Sequence, residues 1–255
     1  MEKGGDTLNL SYFDLLSPAP VQLSGIGGIV SPKLREISAI GYNTYQFYLS
    51  VLQMEGKSVL SAIGLQAMPN AEQIQTNLFE LLTADPRTAD MLREILNFFL
   101  KEDVSYSENH KAFLVRTGND VTGMITSENY PQVCEAVCLR NGIRQKQEAD
   151  ISKAKNKKAL EIMNKLQMGR SKKAKQVKSD DNLELGNILS AVANKSQSLN
   201  IVNIWDLTVY QLWDCFFRLS NNNIYNIQSM SVAAWGDKDN HFDATAWFKR
   251  MDTGN

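Results

Sequence analysis

A chain of 255 residues, 43% hydrophobic and 22% charged, is long enough for one large core or two smaller ones. Its net charge of -1 excludes a general attraction to nucleic acid or to an anionic membrane, and it contains no apolar run of the ~18 residues or more that a bilayer span needs. Three cysteines, Cys134, Cys138 and Cys215, make neither a CxxC pair nor a disulfide framework, which fits a reducing compartment.

Residues 7–31 read as extended and loop-like. Pro18 and Pro20 precede the glycines Gly25, Gly27 and Gly28, and the apolar alternation of Val21, Leu23, Ile29 and Val30 predicts short strands around a turn. Ser31 followed by Pro32 predicts a capped helix start, with Leu34, Ile37 and Ile40 on one face and Gly41 as its stop. Thr44 is the expected cap of a second helix whose Tyr45, Phe47, Tyr48, Leu49, Val51 and Leu52 make it central. A third helix is expected from Asn70, with Ile74, Leu78, Leu81 and Leu82 inward. A fourth is expected from Asp85-Pro86 through Met91, Leu92, Ile95, Leu96 and Phe99 to near Lys101.

The period then changes to two. Phe113, Val115, Val121 and Ile125 flank Thr117-Gly118-Asn119-Asp120 and predict a hairpin, and a helix over Tyr130, Val133, Cys134, Val137 and Cys138 should stop at Asn141-Gly142. The expected fold class is mainly α with a small β-hairpin element, an α+β arrangement.

Residues 144–180 differ in composition. Ten Lys and Arg between 153 and 178 face Glu161 alone as an acid, and apolar anchors are few, so the segment reads as a solvated helix or a mobile linker. It divides a mostly helical N-terminal domain, 1–143, from an aromatic-rich helical C-terminal domain, 181–255. Asp181 and Glu184 open the first C-terminal helix, which carries Leu185, Ile188, Leu189 and Val192.

The most specified run is Asn203 to Leu219. Thr208 and Gln211 form the Thr-x-x-Gln capping box, and Val209, Leu212, Trp213, Phe216 and Phe217 recur at helical steps as one large apolar face. Asn221-Asn222-Asn223 reads as the turn that follows.

Catalytic and metal motifs are each incomplete. Gly56-Lys57-Ser58 resembles the end of a phosphate-binding loop, but Val51 stands where its first glycine belongs. Ser24 to Gly28 lacks the dinucleotide spacing and reads as a turn. Asp237, Asp239 and Asp243 alternate like cation ligands, yet Phe242 and Phe248 occupy the EF-hand glycine and glutamate positions. Cys134 and Cys138 share a helix face, but His110 and His241 are the only histidines, so buried structural thiols are expected. This scarcity also weighs against nucleophilic catalysis. Neither an enzyme activity nor a cofactor or metal is expected. Phosphate contact, if the basic segment makes any, falls to Lys153, Lys157, Lys158, Arg170, Lys172 and Lys173; aromatic interleaving for stacking is absent. Partner contact would fall to Trp205, Tyr210, Trp213, Phe217, Trp235 and Trp247, because Trp and Tyr are enriched in interface hot spots.

Several runs together carry a resemblance: Leu10 to Leu16 with Pro20-Val21 and Gly28 to Leu34, Leu185 to Ile188, Ser198-Leu199-Asn200 with Asn203 to Leu212, and Ala234-Trp235-Gly236 through Trp247-Phe248. They resemble virion-structure and assembly-module proteins of tailed bacteriophages and prophages of low-GC Gram-positive hosts. Within that module the chain is similar to a tail assembly chaperone. The resemblance implies a non-enzymatic protein that holds the tape measure protein or tail tube subunits in the host cytoplasm, with self-association as a further expectation and no membrane. The alternatives are a structural virion component, such as a head-tail connector, tail or baseplate part, and then a nucleic-acid-binding phage protein using the Lys-rich segment.

Overall fold

The computed structural model describes residues 8, 10–54, 78–143, 184–238 and 240–249. Its contacts divide the chain into two compact units. The first takes residues 1–143, 205–214 and 250–255, and the second takes 144–204 and 215–249.

The first unit begins with α1 (Tyr12–Leu16), a single capped turn in which Ser11 and Asp14 exchange both capping-box bonds. Strands β1 (Val21–Leu23) and β2 (Gly27–Ile29) form the expected short antiparallel pair. Helices α2 (Leu34–Ile40) and α3 (Tyr42–Leu52) meet at Gly41, whose φ of 87° no β-carbon-bearing residue adopts without strain. α4 (Leu78–Thr83) and α5 (Pro86–Phe99) follow. Asp85 caps α5 by accepting from the Arg87 amide at 2.8 Å, and Pro86 fills the first helical position, as expected from Asp85-Pro86.

The amphipathic stripe of α5 is the centre of the core. Leu92, Ile95, Leu96 and Phe99 are fully buried, as are Phe113, Val115 and Ile125 of a three-stranded antiparallel sheet in the order β3 (Asp103–Ser107), β4 (Ala112–Thr117), β5 (Asp120–Ile125). Phe79 bridges two layers, its ring 5.8 Å from Phe113 and 5.3 Å from Tyr130 of α6 (Tyr130–Arg140). α6 ends at Asn141-Gly142, with Gly142 at φ 75°. The class is therefore mainly α with small antiparallel sheets, although β3 was not foreseen and turns the hairpin into a meander.

Three local expectations fail for identifiable reasons. Ser31 is not a helix cap: it is buried and donates its hydroxyl to the carbonyl of Arg140 at 2.9 Å, while the N-cap of α2 is Lys33, whose amide donates to Glu36. Thr44 does not open α3, whose cap is Gly41, three residues earlier. Asn221-Asn222-Asn223 is not a turn but lies inside a 27-residue helix, α8 (Val209–Trp235). No glycine or proline interrupts that stretch before Gly236, and the Asn221 side chain finds a tertiary partner in the Ala246 carbonyl at 2.7 Å. Asn70, Ile74, Gly56-Lys57-Ser58 and the basic residues of 144–180 lie outside the described residues.

The second unit includes α7 (Leu185–Lys195), which begins after Glu184 and buries Ile188, Leu189, Val192 and Ala193 on one face. It also includes a 3-10 turn at Ile204, α8 from Cys215 onward, and a C-terminal loop that ends in a 3-10 turn at Ala246–Phe248. Gly236 at φ 79° stops α8 by donating its amide to the Val232 carbonyl.

Candidate functional site

The capping box at the head of α8 forms as expected. The Thr208 amide donates to the Gln211 side-chain oxygen at 3.0 Å, and the Gln211 amide donates to the Thr208 hydroxyl at 3.2 Å. Within the first unit this head is tied down further. Thr208 makes an isolated antiparallel bridge with Lys33, the Leu34 amide donates to the Leu207 carbonyl at 2.9 Å, and Arg35 pairs with Asp206 at 2.6 Å. Val209 and Leu212 are buried, while Trp205, Tyr210 and Trp213 are half-buried. These three aromatics are therefore partly covered and partly accessible.

The rest of α8 has different surroundings. Its half-buried side is held by the C-terminal loop, through Asn221 on Ala246 and the Tyr225 ring 5.5 Å from Phe242. Its other side exposes Ile224, Ile227, Met230 and Trp235, at 53, 65, 64 and 81%. Phe217, expected to share the buried face, is 47% exposed, and Trp247 and Phe248 are exposed as a mutual edge-to-face pair. Of the six aromatics expected to meet a partner, Trp205, Tyr210 and Trp213 group with the first unit, whereas Phe217, Trp235 and Trp247 group with the second. Ile224, Ile227 and Met230, which the aromatic reading passed over, complete the exposed apolar surface.

Leu219 to Gly236 contains no charged residue, with Arg218 and Asp237 bounding the tract. Exposed apolar side chains are common singly, but a contiguous set on one helix side marks an interaction surface. Among the described helices none is long and apolar enough to cross a membrane.

Asp237 and Asp243 of the C-terminal loop serve local structure, and Asp239 lies outside the described residues. Asp237 accepts from the His241 and Phe242 amides at 3.0 and 2.9 Å. Asp243 caps Thr245 and pairs with Lys249, and these bonds hold its carboxyl below the usual range, Lys249 contributing most. No group of three or more metal-ligating side chains occurs among the described residues.

Two further features lie in the first unit. A cleft of about 1200 Å³ opens between α4, α5 and the turns after β3 and β5, lined by Asp90, Arg93, Glu108, His110, Lys111 and Glu128 among others. Its His110 ring meets the Ser107 hydroxyl at 2.9 Å in an exposed turn. The thiols of Cys134 and Cys138 are buried, as expected; burial pushes them up to about 12 and about 11, so neither is a thiolate near neutral pH.

Residues 172–252 match the family model of the YomV second domain, a phage-associated family. The match takes in α7, both 3-10 turns and the whole of α8 and covers about a third of the chain. No curated protein and no solved structure matches. The likeness supports a phage protein at that level of description and does not reach tail assembly.

Proposed function

We propose that this chain is a non-enzymatic tail morphogenesis protein of a phage, an assembly chaperone that holds the tape measure protein or tail tube subunits before they polymerise. The carrying observation is the charge-free side of α8 with Ile224, Ile227, Met230 and Trp235 exposed. A helix-in-groove or helix-on-helix contact uses this spacing of anchors, and a tape measure protein presents long helices that such a surface can cover. The phage-associated match over residues 172–252 spans the same helix. Two of the thiols are buried, and Asp237 holds the backbone amides of His241 and Phe242. The basic side chains Lys153, Lys157, Lys158, Arg170, Lys172 and Lys173 form the runner-up phosphate-binding reading.

The test is co-expression of the tagged full chain with the tape measure protein and tail tube protein of its phage, followed by mass spectrometry of purified virions. The proposal expects one of the two to co-purify and the chain to be absent from finished particles. Presence in virions at fixed copy number would replace the chaperone by a structural virion component. Steeply salt-dependent binding to DNA, with no tail protein retained, would favour the nucleic-acid reading.

A further inference from the structure

The exposed side of α8 is a self-complementary surface, and we infer that in the free protein it is covered by a second copy of the same helix. This rests on reading that side as an interaction surface and identifies its occupant when no client is present.

Ile224, Ile227 and Ser231 recur at steps of three and four, with Met230 beside Ile227 and Trp235 a turn beyond Ser231. They form a stripe that rises about 16 Å from Ile224 to Trp235 at 1.5 Å per residue. The Asn221 side chain anchors the Ala246 carbonyl one turn before Ile224. The small Ser231 and Ala234 let a second backbone approach closely.

The polar residues around the stripe decide what covers it. Like charges at the positions beside such a stripe would set a copy of the same helix against itself. Here the polar residues on and beside the stripe are Ser220, Asn223, Asn226 and Gln228, all exposed and all neutral. Each carries donor and acceptor together, so each can bond to its own kind across a two-fold axis, whereas a charge would meet its like. The 18 residues from Leu219 to Gly236 contain no group that opposes a copy of itself. Left bare, such a stripe invites nonspecific association. Pairing covers it until a client helix takes its place. An interface of one helix pair falls at the small end of specific contacts, so the dimer is expected to be concentration-dependent.

Sedimentation velocity of the purified full chain, without any tail protein, tests this. The weight-average mass should rise from one chain towards two as concentration increases. The double variant Ile224→Lys/Ile227→Lys should stay monomeric at every concentration, and so should Ile224→Glu/Ile227→Glu. An equimolar mixture of the two should recover the dimer, because opposite charges then face each other. Since both positions are exposed, far-ultraviolet circular dichroism should be unchanged, and so should the thermal midpoint at concentrations where wild type is itself monomeric. A wild-type chain that is monomeric throughout, or a dimer that the Lys variant leaves intact, overturns the inference. Neither result touches client binding, which the co-purification reads separately.

Discussion

The side-chain amide of Gln211 donates to the main-chain carbonyl of Leu16 at 2.8 Å, while its oxygen accepts from the Thr208 amide. One side chain thus finishes the capping box of α8 and fixes the end of α1, 195 residues earlier in the chain. The short bond between the Tyr12 hydroxyl and Asp214 and the edge-to-face contact of Tyr12 with Tyr210 at 6.5 Å reinforce the same junction.

Gln211→Ala removes both bonds and should destabilise the full chain by about 1–2 kcal/mol, somewhat more than Thr208→Ala at about 1 kcal/mol. The double variant should cost less than the sum, because the two residues share one box. Urea titrations of the four proteins give the cycle. Strict additivity would show that the box contributes nothing as a unit.

Leu212 is fully buried, whereas Trp213 is only half-buried. Leu212→Ala should therefore cost about 2–5 kcal/mol, and Trp213→Ala less than the about 3–5 kcal/mol of a fully buried aromatic truncation. The measurement must be made on the whole chain, since residues 205–214 group with the first 143 residues and a fragment starting at 182 lacks that packing. Thermal scans in which the Trp213 variant falls further than the Leu212 variant would reverse the ranking.

Arg140 is 0% exposed, and its two terminal nitrogens donate to the carbonyls of Asp14, Ser17 and Ala19. Arg140→Ala leaves three acceptors without their donor and opens a cavity, so a loss of at least about 3 kcal/mol is expected. Arg140→Lys should recover little of it, because one ammonium cannot replace the planar fork that spans three carbonyls. Recovery to near wild-type stability in a denaturant titration would show that charge, not geometry, holds the segment.

The buried thiols give a pH dependence. Burial raises Cys134 from 9.0 to about 12 and Cys138 to about 11, and it also raises the hydroxyls of Tyr45 and Tyr130. All four groups stay protonated in the folded protein to higher pH than in the unfolded chain, so above about pH 9 the unfolded state binds fewer protons and stability falls as pH rises. Stability from this source should be complete below pH 9 and be lost towards pH 11–12. Denaturation midpoints across that range should decline less steeply in Cys134→Ala than in wild type. Rapid alkylation of Cys134 or Cys138 in the native protein at neutral pH would contradict their burial.

What could be read from sequence was local. The Thr208–Gln211 box, the Asp85-Pro86 helix start and the Gly118 turn each depend on residues within four positions, and each appears where its chemistry placed it. β3 escaped because only Val104 of Asp103–Ser107 is buried, leaving no period of two to see. Its backbone is instead recognised by Asn97, which both donates to the Val104 carbonyl and accepts from its amide. Ser31 and Arg140 escaped because their partners lie more than 100 residues away. The candidate surface was half legible: its aromatics stood out by type, but helical periodicity alone assigned Phe217 to the core. The exposed isoleucines emerged only when α8 proved to run through the asparagines.

The glycines offer a comparison in which one added methyl group has three outcomes. A β-carbon on Gly123 would sit 2.2 Å from the Ile26 carbonyl oxygen and 2.7 Å from its carbon, since the β1–β2 turn lies against β5 and the Met124 amide donates to Gly25 at 2.9 Å. Both obstacles are backbone and cannot rotate away, so Gly123→Ala must push the turn off the strand, costing at least about 2 kcal/mol. At Gly118 space is open but φ is +62°, so Ala there should cost about 1–2 kcal/mol from backbone strain alone. Gly186 lies in the first turn of α7 with no atom near its missing β-carbon, and Ala there should stabilise by up to about 1 kcal/mol through the smaller entropy of the unfolded chain. Urea midpoints of the three full-length variants should therefore fall in the order Gly186→Ala above wild type, then Gly118→Ala, then Gly123→Ala. A Gly123→Ala protein as stable as wild type would mean that the β1–β2 turn does not rest on β5 in solution.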